Sequence, residues 1–438
     1  MMPLTLTVTP AIALVDEPRR IRLHGLRPGA TVEIEATSRT GDGAAWRSYA
    51  QFIAADDGTV DLQRDAPVAG DYRGVDGQGL LWSQRQVSPP TGAAGHPAVI
   101  APVTVHLRAT GRSAGVDAAP VHADAQMVQQ FSADNVAYRP IEEQGLVGAL
   151  YTPGTPGPHP VVIYLNGSGG GINHQRAALW ASRGYAALAL GYFGAPGLPS
   201  HISATPLEYF ADALAWVHER LRPRKGFVAV SGQSRGGELS LLLAATFPER
   251  VSAVIAYVPS SVTHGVLAAG RPGESRFAPC WVYQGKPLPI VWHGNDAQAC
   301  WREIDNAPQP RRQAAAFVHA QRNTAAVEAA RIQVENMRCP VLLISGGDDG
   351  FWPSTDYCRH VTRTLNDHAY PYPVQHLDYP DAGHAIATPY VPATVIDKPH
   401  AVSGIIMAAG GTPAANAHAS ADSWRHSLAF MAKLTQSR

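Results

Sequence analysis

Short segments that alternate apolar and polar residues fill the N-terminal part of the chain. The alternation runs through 4–10, 20–26, 30–36, 49–54 and 99–107. Turn-forming residues separate these segments, among them R-P-G-A at 27–30 and D-D-G-T at 56–59. A side-chain period of two is typical of half-buried strands, and several short strands at close spacing favour a sandwich of two sheets. We therefore expect residues 1–120 to form an all-β, immunoglobulin-like sandwich domain.

A stretch without periodicity follows these predicted strands. Residues 109–125, A-T-G-R-S-A-G-V-D-A-A-P-V-H-A-D-A, are small or polar for the most part. This composition is typical of a linker. The prediction is a boundary after residue 120 and a second domain over 121–438.

The second part of the chain alternates apolar strands with helices. Strands are predicted at 160–166, 185–190, 227–231, 252–258, 341–345 and 374–380. Helices are predicted at about 174–183, at 238–247 and at 413–434. Continuous apolar strands between helices are typical of a mainly parallel sheet buried on both faces. The second domain is therefore predicted to be of the α/β class.

Two further segments of this domain carry specific expectations. T-P-L-E at 205–208 predicts the start of a helix, with Thr205 as cap, Pro206 in the first turn and Glu208 closing a capping box. Residues 262–335 have no strand rhythm and are rich in Pro, Gly and Trp. We interpret 262–335 as an insertion or cap-like segment.

A serine between glycines lies directly after one of the predicted strands, in V-S-G-Q-S-R-G-G-E at 230–238. The pattern G-x-S-x-G is short, so alone it is equally typical of a loop. Here a strand precedes it and a helix follows, which is the context of the nucleophile turn of α/β-hydrolases. Glycines are needed there because a Cβ would clash at the sharp turn. Ser234 is therefore the candidate nucleophile, in an α/β-hydrolase catalytic domain.

A hydrolase of this type needs an acid after the serine in the chain, and a histidine after the acid. The strand at 341–345 leads into two aspartates, and either Asp348 or Asp349 could orient a base. The alternative for this pair is a role in stabilising the turn.

His384 is the candidate base among 18 histidines. It lies in P-D-A-G-H at 380–384, after the last predicted strand, where the order of the chain requires a base. His368 and His376 lie too early in the chain. His400 and His418 are weaker rivals.

Backbone N–H groups must also stabilise the oxyanion. One donor should be the N–H of Arg235, the residue after the nucleophile, and another that of Ser168 or Gly169 in L-N-G-S-G-G-G at 165–171. We expect the Arg235 side chain to be solvated. The glycine loop could also cradle a phosphate, but no G-K-[ST] follows it and its spacing does not fit a dinucleotide fingerprint. No H-E-x-x-H motif occurs, so neither a metal nor a cofactor is expected.

Composition narrows the class of protein further. Lys plus Arg and Asp plus Glu balance at 35 each, which argues against a nucleic-acid partner. The four cysteines form no C-x-x-C pair, so they are expected to be reduced thiols. The N-terminus does not have the pattern of a signal peptide, and the apolar runs are of strand length. We therefore expect a cytoplasmic protein without membrane insertion.

The residues resemble the acyl-CoA thioesterases that are grouped with bile acid-CoA:amino acid N-acyltransferases. The resemblance extends over both predicted domains, and its motifs keep a shared order. They are found at 6–29, 79–83, 166–171, 207–213, 232–239, 281–289, 346–354 and 382–390. The resemblance implies a β-sandwich before an α/β-hydrolase domain, and a small-molecule acyl substrate, acyl-CoA.

The resemblance also implies specific roles for residues. The catalytic acid of the family matches the second aspartate, Asp349, and the base matches His384. The nucleophile is serine in the thioesterases and cysteine in the N-acyltransferases, so Ser234 favours hydrolysis. The alternatives are a carboxylesterase, lactonase or peptidase acting on a substrate without CoA, an acyl-CoA:amino acid N-acyltransferase, and a binding protein that has kept the fold without the chemistry.

Overall fold

The computed structural model describes residues 3–92, 95–112, 120–294 and 298–436. These residues form two compact units. The first unit contains the described residues up to Ala133, with Ala387–Val395 and Asn416–Ala421. The second contains Asp134–Ile386, Ile396–Ala415 and the described residues from Asp422 onward.

The first unit is built mainly of strands. They are β1 Thr5–Thr9, β2 Ile12–Leu14, β3 Arg20–His24, β4 Thr31–Arg39, β5 Ala45–Ile53, β6 Val60–Asp61, β7 Ala69–Gly70, β8 Arg85–Ser88, β9 Val103–Arg112 and β10 Pro120–Gln130, with one short helix, α1 Gly79–Trp82. One sheet has the order β1-β3-β6, and the other has the order β2-β10-β9-β4-β5-β7, with β8 paired to β5. In β4, buried Val32, Ile34 and Ala36 alternate with more exposed residues, as the sequence pattern predicts. The immunoglobulin-like type of this unit stays a prediction.

The segment predicted to be a linker belongs instead to a sheet. Residues 109–112 end β9, residues 120–125 begin β10, and the two strands pair antiparallel. Residues 113–119 lie outside the described residues. The boundary predicted after residue 120 therefore falls inside this sheet, and the first unit continues to Ala133. The strand pattern was not recognised in the sequence because most of these positions are alanines or polar residues. In the structure, Ala123 and Met127 are buried positions of this alternation.

The second unit alternates strands and helices. Its strands are β11 Ala137–Glu143, β12 Leu146–Thr152, β13 Val161–Leu165, β14 Ala186–Gly191, β15 Thr205–Pro206, β16 Val228–Gln233, β17 Ala253–Tyr257, β18 Trp281–Tyr283, β19 Lys286–Pro287, β20 Val341–Gly346, β21 Val374–Tyr379, β22 Asp397–Pro399 and β23 Ile406–Ala408. Its helices are α2 His174–Ser182, α3 Leu207–Trp216, α4 Arg235–Thr246, α5 Gln298–Asn306, α6 Ala314–Ala320, α7 Thr324–Ala330 and α8 Ser354–Asp367. A last helix, α9 Pro413–Gln436, has residues in both units.

An eight-stranded sheet forms the centre of the second unit, in the order β11-β12-β14-β13-β16-β17-β20-β21. The pairs β11–β12 and β12–β14 are antiparallel, and the remaining pairs are parallel. Every residue of β13, β14, β17 and β20 is buried, which explains why these strands read as continuous apolar runs. The predicted α/β class of this region is confirmed.

The predicted capping box at 205–208 is wrong. Thr205 and Pro206 form β15, which pairs with β18, and the helix begins at Leu207. Thr205 Oγ1 donates to the Ile202 carbonyl at 2.7 Å, and Glu208 Oε1 accepts from the backbone N–H of Gln284 at 2.6 Å. Thr205 thus bonds to the residues before it and Glu208 to a distant segment, so neither side chain caps the helix.

The segment 262–335 contains β18, β19 and helices α5 to α7 rather than strands of the central sheet. Its apolar residues join Trp352 and Tyr357 in a separate buried cluster that includes Val262, Trp292 and Phe317. This explains the high aromatic content and the missing strand rhythm of the segment. Among the described residues, no helix has the length and apolar character needed to cross a membrane.

Candidate active site

Ser234 occupies the sharp turn between β16 and α4. Its backbone has φ 58° and ψ −120°, a conformation that side-chain-bearing residues rarely adopt. Its N–H donates to the carbonyl of Tyr257 at the end of the neighbouring strand β17, at 2.8 Å. A strained serine at a strand-to-helix turn on a mainly parallel sheet is the arrangement of α/β-hydrolase nucleophiles.

Three glycines make this turn possible. A Cβ on Gly232 would lie 2.2 Å from the carbonyl oxygen of Gly236, and a Cβ on Gly236 would lie 2.2 Å from that of Leu165. A Cβ on Gly237 would lie 2.8 Å from the carbonyl oxygen of Tyr257. The start of α4 therefore lies directly against the ends of β13 and β17, as the sequence pattern predicts.

Asp349 and His384 form a buried pair. His384 Nδ1 lies 2.8 Å from Asp349 Oδ2, and their side chains are 7% and 1% exposed. The other carboxylate oxygen, Oδ1, accepts the backbone N–H groups of Phe351 and Trp352 at 2.9 and 3.2 Å. His384 Nε2 is buried and has no hydrogen-bond partner among the described residues. The network assigns the proton to Nδ1 and leaves the Nε2 lone pair free.

Asp348 has a different environment. Its side chain is 49% exposed, pairs with Arg312 at 2.5 Å and accepts the backbone N–H of Gly411 at 2.8 Å. The hydrogen bond from Arg312 lowers the pKa of Asp348. The residue pattern alone left open which aspartate faces the histidine, whereas the family resemblance implied Asp349, and in the structure Asp349 faces His384.

The segment around His384 is attached directly to the turn that carries Ser234. Gln233 Nε2, one residue before Ser234, donates to the carbonyls of His384 and Ile386 at 3.3 and 3.1 Å. The ring of Phe351 stacks on the imidazole with a centroid separation of 4.5 Å and an angle of 27° between planes. These contacts fix the orientation of the imidazole.

The glycine loop after β13 passes beside Ser234. A Cβ on Gly167 would lie 3.2 Å from Ser234 Cβ, so a side chain at this position would crowd the serine. Ser168, Gly169, Ser234 and His384 line one cavity of about 310 Å³. The structure thus brings these predicted residues together.

Arg235 is the first residue of α4, so its backbone N–H has no acceptor within the helix. It lines a small cavity of about 20 Å³ together with Ser168 and Ser234. The start of α4 therefore lies beside the serine, as the glycine loop does.

The prediction of a solvated Arg235 side chain is wrong. The guanidinium is 1% exposed and pairs with Glu238 at 2.9 Å. It also donates to the carbonyl of Gly265 at 2.9 Å, and Glu238 accepts Trp281 Nε1–H at 2.8 Å. A carboxylate three residues along α4 allows the charge to be buried, so this side chain is not exposed to a phosphate.

The rival histidines do not face Ser234 with a free nitrogen. His376 Nε2 lies 2.7 Å from Ser345 Oγ, His368 follows the end of α8, and His418 is on an exposed position of α9. His400 does line the cavity of Ser234, but its Nε2 lies 3.0 Å from Ser168 Oγ. No local pattern could predict this pairing, because 232 positions separate the two residues.

A larger cavity of about 770 Å³ shares Gly169, Ala401 and Met407 with the cavity of Ser234. Most of its other lining residues belong to the segment 262–335. They combine apolar Leu267, Trp301 and Ile304 with the charged Arg271, Glu274, Arg276, Asp305 and Arg311. Within the described ranges, no cluster of three His, Cys, Asp or Glu side chains could hold a metal ion.

Comparison with family models gives two matches in chain order. Residues 16–143 match the model described as Acyl-CoA thioester hydrolase/BAAT N-terminal region. Residues 205–437, more than half of the chain, match the model described as BAAT / Acyl-CoA thioester hydrolase C terminal.

Named relatives align over nearly the whole chain. Human acyl-coenzyme A thioesterase 1 is 29% identical over 427 residues, which covers 95% of this chain and 93% of the relative. Human acyl-coenzyme A thioesterase 2, mitochondrial, is 29% identical over 95% of this chain and 81% of its own length. Mouse acyl-coenzyme A thioesterase 6 is 29% identical over 99% of this chain and 97% of its own length.

Solved structures resemble the chain more distantly. A puromycin-hydrolyzing peptidase of Mycobacterium tuberculosis is 13% identical with a TM-score of 0.41, and the match covers 95% of this chain and 68% of the peptidase. A 2,6-dihydroxy-pseudo-oxynicotine hydrolase is 19% identical with a TM-score of 0.33, over 56% of this chain and 60% of the hydrolase.

Proposed function

The chain belongs to the acyl-CoA thioester hydrolase/BAAT family, and from that premise we propose that it hydrolyses acyl-CoA thioesters to a free acid and CoA. Ser234 is the nucleophile, His384 the general base and Asp349 the residue that orients the base. The names of the relatives support the substrate class, since the acyl-CoA thioesterases align with almost the full length of this chain.

The hydrogen bonding of the two ring nitrogens of His384 is the main support for this function. Its Nδ1 is held by a buried carboxylate, while its Nε2 has no protein partner among the described residues and the ring lines the cavity of Ser234. A serine hydroxyl is a weak nucleophile until a base accepts its proton. A buried, oriented imidazole with one free nitrogen is suited to this task.

The reaction proceeds in two steps that share one base. Ser234 Oγ forms a bond to the thioester carbonyl carbon while its proton passes to His384 Nε2. The C–S bond then breaks, and His384 returns the proton to the departing sulfur. Water then attacks the carbonyl carbon of the acyl-Ser234 ester and gives a proton to His384. The bond from this carbon to Ser234 Oγ breaks, His384 returns the proton to Oγ, and the free acid leaves.

Backbone N–H groups stabilise the oxyanion in both steps. The donors are the N–H of Arg235, at the start of α4, and that of Ser168 or Gly169 in the glycine loop. The close approach of the loop to Ser234, where a Cβ on Gly167 would lie 3.2 Å from Ser234 Cβ, supports this assignment. Charge develops on the carbonyl oxygen only as the bond forms, so fixed donors lower the barrier for that step.

The cavity of about 770 Å³ next to Ser234 is proposed to hold the larger part of the substrate. Apolar side chains such as Leu267, Trp301 and Ile304 lie there beside three arginines, of which Arg276 and Arg311 pair with Asp305. This mixed lining suits a molecule with an apolar acyl chain and charged groups. The segment 262–335, which supplies most of this lining, would then have the cap-like role predicted for it.

Serine at position 234 favours hydrolysis over transfer to an amine, because a serine ester generally passes its acyl group to activated water. A cytoplasmic location remains part of the proposal, although three of the relatives are named as mitochondrial.

The test compares Ser234→Ala with a matched variant, Ser231→Ala. Ser231 lies in β16, the strand that leads to Ser234, and its buried hydroxyl has no hydrogen-bond partner within the described residues, so its removal should leave activity unchanged. Ser234→Ala should lower kcat for acyl-CoA by at least about 10⁴-fold with the fold intact, measured as released thiol.

Two outcomes would contradict this function. Undiminished hydrolysis by Ser234→Ala would remove the nucleophile assignment. Turnover of p-nitrophenyl esters, with no release of thiol from acyl-CoAs of any chain length, would indicate an esterase instead. Addition of glycine or taurine, with conjugates sought by mass spectrometry, distinguishes hydrolysis from N-acyl transfer.

A further inference from the structure

A second histidine, His400, lines the cavity of Ser234 without acting as the base. It follows β22 and begins a turn that leads back to β23, closed by the N–H of His400 on the carbonyl of Ile405 at 2.9 Å. Its Nε2 lies 3.0 Å from Ser168 Oγ in the glycine loop. Two segments far apart in the chain thus meet at a side chain beside Ser234.

The turn fixes which nitrogen of His400 carries the proton. Nδ1 accepts the backbone N–H groups of Val402 and Ser403 at 3.3 and 3.4 Å. A nitrogen that accepts N–H groups presents its lone pair, so the proton of the neutral ring is on Nε2. Nε2–H is therefore the donor and Ser168 Oγ the acceptor.

The surroundings of His400 keep the ring in this neutral form. Burial lowers the pKa of His400, and the positive charge of Arg235 lowers it further. At neutral pH one proton is thus held on the ring, at the nitrogen that faces Ser168.

This hydrogen bond determines what the Ser168 hydroxyl can do. Because its oxygen accepts from His400, the hydroxyl hydrogen is available to another acceptor. Ser168 and His400 both line the cavities that Ser234 lines. The preceding residue, Gly167, lies so close to Ser234 that an added Cβ would be 3.7 Å from its Oγ. A substrate carbonyl attacked by Ser234 therefore places its oxygen next to this part of the loop.

We propose that the Ser168 hydroxyl is a third donor to the oxyanion, besides the backbone N–H groups, and that His400 is the positioning residue that orients it. This inference rests on the proposed acylation of Ser234. No bond to His400 forms or breaks, and its Nε2 proton stays on the ring throughout the reaction. His400 is not an alternative base, because both of its ring nitrogens are already in hydrogen bonds.

The first test removes or keeps the hydroxyl. Ser168→Ala should lower kcat by about 100-fold with KM changed by less than about 3-fold, because the oxyanion exists only in the transition state and intermediate. Ser168→Thr keeps a hydroxyl and should retain most of the activity. Unchanged kcat in Ser168→Ala would overturn the proposal.

The second test asks whether His400 acts through Ser168. His400→Phe keeps the ring volume but removes the donor, and should lower kcat by a factor similar to that of Ser168→Ala. His400→Gln, whose amide can donate, should recover part of the loss. The double variant, Ser168→Ala with His400→Phe, should be no slower than Ser168→Ala alone. Losses that multiply in the double variant would show that His400 acts independently and would overturn its role.

Controls separate this inference from the proposed function. His368→Phe, an exposed histidine after α8, should leave kcat unchanged. The same variants are also tested for the rate of Ser234 labelling by a fluorophosphonate, whose P–O oxygen occupies the oxyanion position. If the wild-type chain is labelled but hydrolyses no acyl-CoA, the substrate proposal fails, while the labelling rates of the Ser168 and His400 variants still decide this inference.

Discussion

At the scale of single residues, two adjacent aspartates show how strongly position in the chain determines the environment of a side chain. Asp349 is buried, and one of its oxygens faces His384 while the other accepts two backbone N–H groups. Asp348 points to solvent and pairs with Arg312. The same side chain, one residue earlier in the chain, therefore has a surface role.

This difference gives a matched pair of variants. Asp349→Asn should lower kcat by about 10⁴-fold, because an amide in place of the carboxylate favours the wrong tautomer of His384. Asp348→Asn should leave kcat within about 2-fold, and should cost at most about 1 kcal/mol of stability, since the pair with Arg312 is about half exposed. Steady-state kinetics and urea unfolding measure the two quantities. Equal losses of kcat in both variants would refute the assignment of the acid.

Local signals predicted the placement of the candidate residues better than they predicted side-chain contacts. The strand, serine and helix that surround Ser234 are consecutive, so a short pattern contains the whole turn. The Arg235 side chain was expected in solvent but pairs with Glu238 and with the carbonyl of Gly265. His400 was only a weaker rival for the base, because nothing in the sequence links it to Ser168. Catalytic roles for these residues stay predictions.

At the scale of elements, the apolar strands of the second unit were the most predictable. Full burial of β13, β14, β17 and β20 leaves little room for polar residues, so each strand is visible as a continuous run. Short strands that depend on pairing with another segment were not predicted, including β15 and the β22–β23 pair next to His400. The strands in the segment predicted to be a linker were missed for a related reason, since its small residues do not show the alternation of the paired strands β9 and β10.

The start of α4 provides a prediction at this scale. Gly→Ala in a helix normally stabilises by about 1 kcal/mol. At Gly236 a Cβ would lie 2.2 Å from the carbonyl oxygen of Leu165 and 2.6 Å from that of Asn166. Gly236→Ala should therefore destabilise the protein by about 2 kcal/mol or more, and should lower kcat by moving the glycine loop.

Gly95→Ala is the control for this prediction. Its Cβ would meet no atom of the described residues within 4 Å, so stability and kcat should stay close to those of the wild type. Urea unfolding and thiol release are measured for both variants. A Gly236→Ala protein as stable and active as the control would show that α4 does not need its close approach to β13.

At the scale of the whole molecule, we expect pH to act on stability through a buried histidine. The His264 ring is 0% exposed and stacks on Trp352 with a centroid separation of 5.5 Å. Its Nε2 lies 3.0 Å from Ser260 Oγ, while Nδ1 has no partner in the part of the chain that the structure describes. Burial, and to a lesser degree the charge of Arg235, lowers the pKa of His264 well below its usual value.

A depressed histidine pKa means that the unfolded chain binds a proton that the folded protein does not. Above the ordinary histidine pKa of 6.5, His264 is neutral in both states and does not affect stability. Below it, only the unfolded state gains the proton, so the free energy of unfolding should fall with falling pH, by up to about 1.4 kcal/mol per pH unit from this residue. His264→Gln should reduce that slope by one proton, measured by urea unfolding between about pH 8 and pH 5. His368→Gln, at an exposed position, should keep the wild-type slope, and a wild-type slope in His264→Gln as well would mean that His264 already takes up its proton in the folded protein.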